Sequence, residues 1–331
     1  MTTNKQVLLN SRPHGWVKES DFRIVDIPAP VPTDGQVLLK TLYLSLDPYM
    51  RGRMNDMRSY APSAKLGDVM VGQVIAEVVE SKNSQFKKGD VVTAYTGWQE
   101  YAISDGAGLR VVDTKIVPPS AYLGPVGMPG VTAWYGLLKI GEPKAGETVV
   151  VSAAGGAVGS VVGQIAKIQG CRVVGIAGGR EKCDFVVKEL GFDACIDHRS
   201  DKMAEALAEA TPKGIDVYFE NVGGPVLDAV LSRCNPFGRI PICGMIADYN
   251  ATERYGVKNL ISAVGNRLKL QGFIISDHTQ IWPEALTQLA QWVSEGKLKY
   301  RETITQGLEN APKAFIGLFK GENFGKQLVK I

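Results

Sequence analysis

The chain has 331 residues, a length that favours two domains, each large enough for its own hydrophobic core. It is 45% hydrophobic and 21% charged, with a mean hydropathy of −0.02, which is typical of globular proteins. The net charge is +3 and the basic residues are dispersed, so neither a nucleic acid nor an anionic membrane surface is expected as a partner.

The cysteines argue against a disulfide framework. They lie at positions 171, 183, 195, 234 and 243, an odd count without Cys-x-x-Cys spacing. A structural zinc cluster is equally unexpected, and a reducing compartment, the cytoplasm, is predicted.

The segment from Met1 to Gly15 lacks the apolar run of a secretory signal. Thr148 to Ala166 is uncharged and long enough to span a bilayer, but its β-branched run and Gly/Ala cluster favour a strand and a turn.

The N-terminal third is predicted to be rich in β structure. Short runs of Val, Ile and Leu bounded by Gly and Pro are typical of the strands of a small barrel or sandwich. These runs are Gln36 to Thr41, Val69 to Glu80 and Asp90 to Tyr95.

From about Tyr122, strand-like and helix-like segments alternate, which predicts βαβ units and a parallel sheet. The predicted strands are Thr148 to Ser152, Arg172 to Ile176, Ala194 to Asp197, Asp216 to Glu220, Arg239 to Cys243 and Leu268 to Ile275. The predicted helices are Ser160 to Gln169, Lys182 to Leu190, Met203 to Ala210, Val226 to Cys234 and Pro283 to Trp292. The fold class is therefore α/β, with a doubly wound Rossmann sheet.

A turn of small residues follows the first strand of this alternating region. Its spacing, Ala153-x-x-Gly156-x-x-Gly159, is a variant of the dinucleotide-binding fingerprint. Small residues let the backbone approach a pyrophosphate at the positive N-terminus of a helix, and Gly159 lets that helix pack closely on the sheet. The alternative is an ordinary tight turn between a strand and a helix.

The end of the next strand distinguishes the two nicotinamide cofactors. NAD enzymes usually have an acidic residue there, which binds the ribose hydroxyls. Here the strand runs into Gly178-Gly179-Arg180-Glu181-Lys182, with no acid at its tip and two cations after it. Cations suit the 2′-phosphate of NADP, so NADPH is the predicted cofactor. Alternatively, Arg180 and Lys182 are solvated residues in the first turn of a helix.

Further motifs occur in order along essentially the whole chain. They are Leu46-Asp47-Pro48-Tyr49-Met50-Arg51, Gly127-Met128-Pro129-Gly130-Val131-Thr132-Ala133, Phe219-Glu220-Asn221-Val222-Gly223-Gly224, Cys243-Gly244-Met245-Ile246 before Tyr249-Asn250, and Glu322-Asn323-Phe324-Gly325-Lys326. With them the chain resembles the zinc-independent medium-chain dehydrogenase/reductase superfamily. Within it, the likeness is to the branch of prostaglandin, alkenal double-bond and curcumin reductases.

The resemblance implies a GroES-like, β-rich catalytic domain formed by residues 1–122 and 296–331. A Rossmann NADP-binding domain, residues 123–295, would lie between them. A homodimer is also implied, because relatives pair through the Rossmann domain.

The resemblance also implies cofactor-binding residues. Met128 and Thr132 would flank the nicotinamide, and Asn221 and Val222 would lie by the nicotinamide and its ribose. Backbone groups of Gly156, Ala157 and Val158 would face the pyrophosphate, Lys182 would bind the 2′-phosphate, and Asn323 would close the cofactor cleft. His198 stands where relatives often have a tyrosine that contacts the adenosine phosphate. Its imidazole can still donate to a phosphate; alternatively it is an exposed loop residue.

Three residues match substrate positions of this branch. Tyr249 matches a tyrosine proposed to hydrogen-bond the substrate or the cofactor ribose, and Tyr49 and Ser276 match pocket positions. Tyr49 has an alternative as a packed turn residue, since a tyrosine ring readily fills such places. Ser276 directly follows a segment that is predicted to end a strand.

The residues that a catalytic zinc requires are missing from the sequence. Zinc alcohol dehydrogenases of the superfamily have a first-domain cysteine and a Gly-His-Glu motif, and a catalytic zinc needs three protein ligands. Here no cysteine precedes Cys171, His14 is the only histidine of the N-terminal region, and the matching segment reads Leu66-Gly67-Asp68. Zinc catalysis is excluded on these residues. Oxidation of an unactivated alcohol would then have no strong group to stabilise the alkoxide.

Conjugate reduction makes a smaller demand on the protein. Hydride addition to the β-carbon of an enal or enone gives an enolate, which the hydroxyl of Tyr249 can orient or stabilise. The predicted function is thus the NADPH-dependent, metal-free reduction of the C=C bond of α,β-unsaturated aldehydes and ketones, which are its small-molecule partners. Two alternatives are an NADPH:quinone oxidoreductase of the same superfamily and a non-catalytic NADPH-binding protein.

Overall fold

The computed structural model describes residues 2–331, and the chain divides into two compact units. One unit combines Met1–Leu123 with Glu302–Ile331, and the other is Gly124–Arg301. The first unit is thus built from both ends of the chain, whereas the second is one continuous segment.

Strands dominate the N-terminal part of the first unit. In the strand Val37–Ser45, Val37 and Leu39 are buried while Lys40 is exposed, the alternation expected of a strand with one face on a core. The elements are β1 (Thr3–Leu9), β2 (Phe22–Pro28), β3 (Val37–Ser45), α1 (Tyr49–Arg53), β4 (Val74–Ser81), β5 (Val91–Ala94), β6 (Tyr101–Ser104) and β7 (Arg110–Val111), with 3₁₀ turns at Glu19–Asp21 and Pro119–Leu123.

Strands and helices alternate through the second unit. All five residues of Thr148–Ser152 are buried, as expected where helices cover both faces of a parallel sheet. The elements are α2 (Met128–Tyr135), a π-helical turn (Gly136–Gly141), β8 (Thr148–Ser152), α3 (Gly159–Ile168), β9 (Arg172–Ala177), α4 (Arg180–Lys188), β10 (Ala194–Asp197), α5 (Met203–Ala210), β11 (Ile215–Phe219), α6 (Gly224–Leu231), β12 (Cys234–Ile242), α7 (Ser262–Gly265), β13 (Lys269–Gly272) and α8 (Trp282–Ser294). Short 3₁₀ helices span Ile246–Asp248, Asn259–Ile261 and Ile275–Ile281.

The C-terminal segment completes the first unit with β14 (Glu302–Gln306), a 3₁₀ turn (Leu308–Asn310), α9 (Ala311–Lys320) and β15 (Lys326–Lys330). Within residues 2–331, its seven-stranded sheet has the order β14-β15-β3-β4-β5-β7, with β6 also paired to β3, and β1 and β2 form a separate hairpin. In the core, the fully buried Trp98 stacks on Phe22 at 5.3 Å and meets the edge of Phe315, from α9, at 5.6 Å. Both ends of the chain therefore contribute to one core.

The second unit has the strand order of a Rossmann fold. Within residues 124–301, six parallel strands lie in the order β10-β9-β8-β11-β12-β13. The chain winds outward from β8 in one direction and from β11 in the other, so the switch point lies between these two strands. Ligands of such sheets bind in the crevice outside the carboxyl ends of the strands at this point. The predicted fold class is confirmed.

Local assignments differ from the prediction in several places: the strands expected to begin at Val69 and Arg239 begin at Val74 and Cys234. The strand expected from Leu268 to Ile275 ends at Gly272, and Ile275–Ile281 is a 3₁₀ helix, so that prediction is wrong. A short apolar run looks the same in sequence whether it forms a strand or a buried helix or turn. Here the strand stops before Phe273, whose ring packs against that of Phe219 with the ring centroids 6.3 Å apart. Similarly, the helix expected to end at Cys234 stops at Leu231.

The uncharged stretch from Thr148 to Ala166 is divided between β8, a turn and most of α3. Among the helices of residues 2–331, none has the length and apolar character needed to cross a membrane.

Candidate functional site

The turn after β8 is shaped by backbone contacts. Ala153 has a φ of 50°, in the left-handed region, and its carbonyl accepts the N–H of Gly156 at 2.9 Å. A Cβ on Gly159 would lie 2.3 Å from that same carbonyl oxygen, closer than any real contact. Glycine is therefore required at this position for the turn to close onto α3.

The turn presents unused N–H groups at the start of a helix. The amides of Ala157, Val158 and Gly159 donate to no backbone carbonyl within residues 2–331, and α3 begins at Gly159. The first N–H groups of a helix point outward with a partial positive charge, which suits an anion. Of the residues predicted to face the pyrophosphate, Ala157 and Val158 therefore offer N–H groups of the kind that binds phosphates, whereas the N–H of Gly156 is used within the turn.

The turn after β9 is built from two segments. Gly178 and Gly179 lead into α4, and the carboxylate of Asp197, at the end of β10, accepts the N–H of Gly179 at 2.8 Å. The side chains of His198 and Arg199 lie over this glycine pair: a Cβ on Gly178 would be 2.9 Å from Nε2 of His198 and 3.2 Å from Nε of Arg199. The glycines thus make room for a cationic side chain and an imidazole.

Lys182 adds a third group to this cluster. Its aliphatic chain lies beside the first turn, since a Cβ on Gly155 would be 3.8 Å from Cβ of Lys182. Burial and the charge of Arg199 lower the pKa of Lys182, and the same two causes lower the pKa of His198. Arg180 is exposed in the first turn of α4. Arg199 thus lies close enough to Lys182 and His198 for its charge to disfavour their protonated forms, and an added anion would offset this repulsion.

Glu220 connects strand ends at the switch point. It follows β11 and is fully buried, and its Oε1 accepts the hydroxyl of Ser152 at 3.0 Å and the N–H groups of Val222 at 2.5 Å and Gly223 at 2.9 Å. Its carbonyl accepts the N–H of Gly244 at 3.2 Å. Burial raises the pKa of the Glu220 carboxyl, although the N–H donors favour its charged form. The loops after β8, β11 and β12 are thus joined through one residue.

Asn221 and Tyr249 lie in the same network. The Asn221 side-chain amide donates to the Ser152 carbonyl at 2.8 Å, and its own carbonyl accepts the N–H of Ile246 at 3.1 Å. Tyr249 closes the 3₁₀ turn after β12, and its hydroxyl lies 2.8 Å from the place that a Cβ on Gly244 would occupy. The structure therefore brings the hydroxyl of Tyr249 to the loop that carries Asn221.

The other predicted residues lie elsewhere. Met128 begins α2, where its carbonyl accepts the Thr132 hydroxyl at 2.7 Å, and Ser276 is exposed on the 3₁₀ helix Ile275–Ile281. Tyr49 and Asn323 belong to the first unit. The Asn323 amide donates to the carbonyl of Gly325 at 2.8 Å.

Tyr49 is partly buried and lies near charged groups. Burial, followed by the charge of Asp47, raises its pKa well above the usual value. Asp47 in turn pairs with the buried ammonium of Lys326 at 3.1 Å, and that ammonium also donates to the carbonyl of Leu46 at 2.7 Å. The tyrosine hydroxyl is therefore held in its neutral, hydrogen-bonding form, in a loop fixed by an ion pair.

Residues 5–112 match a family described as the N-terminal domain of oxidoreductase, and residues 157–292 match one described as zinc-binding dehydrogenase. The chain is 52% identical to an NADPH-dependent curcumin reductase of Escherichia coli, with 99% of this chain and 97% of the relative covered. It is 45% identical to a 2-alkenal reductase (NADP(+)-dependent) of Nicotiana tabacum, over 99% and 98%. The crystal structure of CurA in complex with NADPH from Vibrio vulnificus, 50% identical, superposes with a TM-score of 0.94 and 98% coverage of each chain.

The chain belongs to the medium-chain dehydrogenase/reductase superfamily. This confirms the resemblance drawn from the motifs, including the branch of curcumin, alkenal and prostaglandin reductases. Within residues 2–331, no three side chains of His, Cys, Asp or Glu are grouped so that they could hold a metal ion.

Three residues of this reductase site were not assigned from the sequence. Ser152 ends a strand that reads simply as buried, and Asp197 ends another, so neither has a local sign of its hydrogen bonds. Glu220 lies inside the motif Phe219 to Gly224, which was noted for Asn221 and Val222. A carboxyl group in an otherwise apolar strand end was the available signal, since buried carboxyl groups need partners.

Proposed function

We propose that this reductase uses NADPH to reduce the C=C bond of α,β-unsaturated aldehydes and ketones. The observation that carries the proposal is the pair of turns after β8 and β9, one offering free N–H groups and the other positive side chains. The NADPH-dependent curcumin reductase and the alkenal reductase, 52% and 45% identical over nearly the whole chain, support the cofactor and the substrate class.

The residues present fit the cofactor's phosphates. Gly156, Ala157 and Val158 would present the backbone to the pyrophosphate, with the N–H groups of Ala157 and Val158 as the donors and Gly159 closing the turn. Gly179, Arg180, Lys182 and His198 would surround the 2′-phosphate, joined by Arg199, which lies over the same glycines. In this proposal, both turns bind parts of the cofactor that do not react.

The nicotinamide would lie at the switch point. Asn221 and Val222 would contact it and its ribose, because Glu220 and Ser152 hold their loop at the end of β11. Met128, Thr132 and Asn323 are proposed to bound the same part of the cofactor, on the strength of their motifs.

Reduced nicotinamide, when bound, supplies a hydride to the β-carbon of the substrate. Tyr249 would donate its hydroxyl proton in a hydrogen bond to the carbonyl oxygen, which gains charge as the enolate forms. A neutral tyrosine hydroxyl can donate such a hydrogen bond. Tyr49 and Ser276 are proposed to line the substrate pocket. The enolate then takes a proton at its α-carbon.

The activity can be tested with the purified full-length protein. A medium-chain 2-alkenal is mixed with NADPH or NADH, oxidation of the reduced nicotinamide is followed by absorbance, and the product is identified by mass spectrometry. We expect a saturated aldehyde, formed preferentially with NADPH. A simple quinone serves as the comparison: faster turnover of the quinone would favour quinone reduction, and binding of NADPH without turnover of any substrate would favour a non-catalytic role.

Replacing the proposed donor tests its role directly. Tyr249→Phe removes one hydrogen bond to the developing oxyanion, so we expect kcat to fall about 10²-fold while the Kd for NADPH changes little. Steady-state kinetics and a fluorescence titration measure the two quantities. Tyr122→Phe is the matched control, because its hydroxyl donates to the carbonyl of Asp113 at 2.8 Å and has no part in the proposed chemistry. An unchanged kcat in Tyr249→Phe would remove Tyr249 from the mechanism.

We also propose that the chain forms a homodimer in the cytoplasm. The dimer proposal rests on exposed apolar side chains just before the edge strand β13, where Ile261 and Val264 are each 74% exposed and Leu260 is 52% exposed. A second copy would cover this surface, since exposed apolar patches at a sheet edge favour association. Sedimentation of the protein and of Ile261→Glu, which should shift toward monomer, tests it.

The cytoplasm is proposed because all five cysteines are free thiols.

A further inference from the structure

Two cysteines meet between the segments that carry the proposed phosphate-binding residues. Cys183 lies in the first turns of α4, directly after Lys182, and Cys195 lies in β10, two residues before Asp197. Their sulfur atoms are 2.9 Å apart, with the thiol of Cys195 donating to Cys183. Both are free thiols; Cys183 is buried, and Cys195 is partly exposed to solvent.

The remaining cysteines are in different surroundings. The thiol of Cys171 donates to the carbonyl of Lys144 at 3.3 Å, and burial raises its pKa to about 11. Burial likewise raises the pKa of Cys234 and of Cys243 to about 12. Cys183 differs from these three cysteines, because the hydrogen bond that it accepts from Cys195 lowers its pKa. A thiolate is the form that reacts with oxidants, so reactivity should concentrate at Cys183.

We propose that Cys183 and Cys195 form a reversible disulfide when the protein meets a hydroperoxide, and that this bond weakens binding of the cofactor's 2′-phosphate. The sulfur atoms of a disulfide are separated by about 2.05 Å, so this pair needs to approach by less than about 1 Å. The second half of the proposal rests on the proposed function, whereas the formation of the bond does not.

The chemistry balances with the hydroperoxide as the only oxidant. The thiolate of Cys183 attacks one peroxide oxygen, the O–O bond breaks, and the leaving oxygen takes a proton to become water or an alcohol. Cys183 is then a sulfenic acid. The sulfur of Cys195 attacks the sulfur of Cys183, the S–O bond breaks, and the hydroxyl leaves as water with the proton of Cys195. The two thiols have lost two electrons and two protons, and the peroxide has gained them.

The bond acts on one end of the cofactor site. It would draw the first turns of α4 toward β10, and Lys182 would move with its neighbour Cys183. Asp197, which holds the N–H of Gly179, lies two residues beyond Cys195. The turn after β8 carries neither cysteine. Oxidation should therefore raise the Kd for NADPH about fivefold, a typical size for coupling between sites, and leave the Kd for NADH nearly unchanged.

The test begins with the full-length protein and hydrogen peroxide. We expect an intact mass lower by two hydrogens, a cross-linked peptide that contains Cys183 and Cys195, and recovery of both thiols with dithiothreitol. Cys183→Ser and Cys195→Ser should each abolish the cross-link, whereas Cys171→Ser, a matched control whose hydroxyl can still donate to Lys144, should keep it. Absence of the cross-linked peptide in the wild type would overturn the proposed site without reference to any variant.

Titrations of the reduced and oxidised protein with NADPH and NADH test the consequence. A higher Kd for NADPH alone supports it, and equal changes for both cofactors, or none, overturn it. Failure of the reduced protein to bind NADPH would instead count against the proposed function, while the peptide map would still decide whether the disulfide forms.

Discussion

The turns after β8 and β9 have adjacent positions in the sheet but use different parts of the chain. The first, Ala153 to Gly159, is formed by backbone atoms: a left-handed alanine, a required glycine and unused N–H groups. The second, Gly178 to Lys182, depends on the side chains of its own segment and on those of His198 and Arg199 after β10.

Because of this difference, the first turn should set the affinity for both cofactors, and the second turn should set the preference for NADPH over NADH. A cradle of N–H groups binds the pyrophosphate that NADPH and NADH share, so its shape affects both cofactors. In the proposed site, the charged side chains at the second turn would contact only the 2′-phosphate, so they should discriminate between the cofactors. Changes in the two turns should therefore have distinguishable effects.

The largest effect is expected from Gly159→Ala. Its Cβ would lie 2.3 Å from the Ala153 carbonyl, so the turn must open, at a cost of about 1–3 kcal/mol. The Kd values for NADPH and NADH should both rise about ten- to hundredfold. Gly265→Ala, where a Cβ meets nothing within 4 Å, is the control, and calorimetric titration is the measurement. A selective loss of NADPH alone would show that the first turn is not a shared pyrophosphate site.

A smaller and selective effect is expected from Lys182→Ala. Loss of one charge-assisted hydrogen bond at a half-buried site is worth about 1.5 kcal/mol, so the Kd for NADPH should rise about tenfold. The Kd for NADH should stay within a factor of about two, because NADH has no 2′-phosphate. Lys188→Ala, at the far end of the same helix, is the matched control. Equal losses for the two cofactors would place Lys182 outside the phosphate site.

The smallest effect on binding is expected at Glu220, which supports the first turn through Ser152 without facing either phosphate site. Glu220→Gln keeps a carbonyl oxygen for the three donors, so cofactor affinity should change little. Stability should respond to pH instead. Burial raises the carboxyl's pKa above the ordinary 4.5. Between the unfolded and the folded pKa the native state therefore binds a proton that the unfolded chain releases, and this contribution to stability is lost as pH rises through the folded pKa.

Glu220→Gln replaces the titrating carboxyl group with an amide, which does not titrate. The free energy of unfolding of the wild type should therefore fall relative to that of Glu220→Gln as pH rises above the ordinary carboxyl pKa of 4.5, which urea denaturation at several pH values measures. A difference that is constant over the whole range would mean that the carboxyl titrates alike in both states.

Much of this protein was determined by local sequence. The strands Thr148–Ser152 and Ala194–Asp197 and the helix Met203–Ala210 lie where their patterns predict them, because burial imposes a period on nearby residues. The glycine turn and the missing acid after β9 could likewise be recognised from the sequence, since both depend on a few consecutive residues.

The tertiary structure decided the contacts between distant positions. Ser152 and Glu220 are 68 residues apart, Gly179 and Asp197 are 18 apart, and Cys183 and Cys195 are 12 apart. The apolar run from Leu268 to Ile275 was ambiguous for a related reason, because packing of Phe273 decided where the strand ends. Sequence period reports how a segment faces the core, whereas hydrogen bonds between strand ends exist only once the sheet has fixed the order and register of its strands.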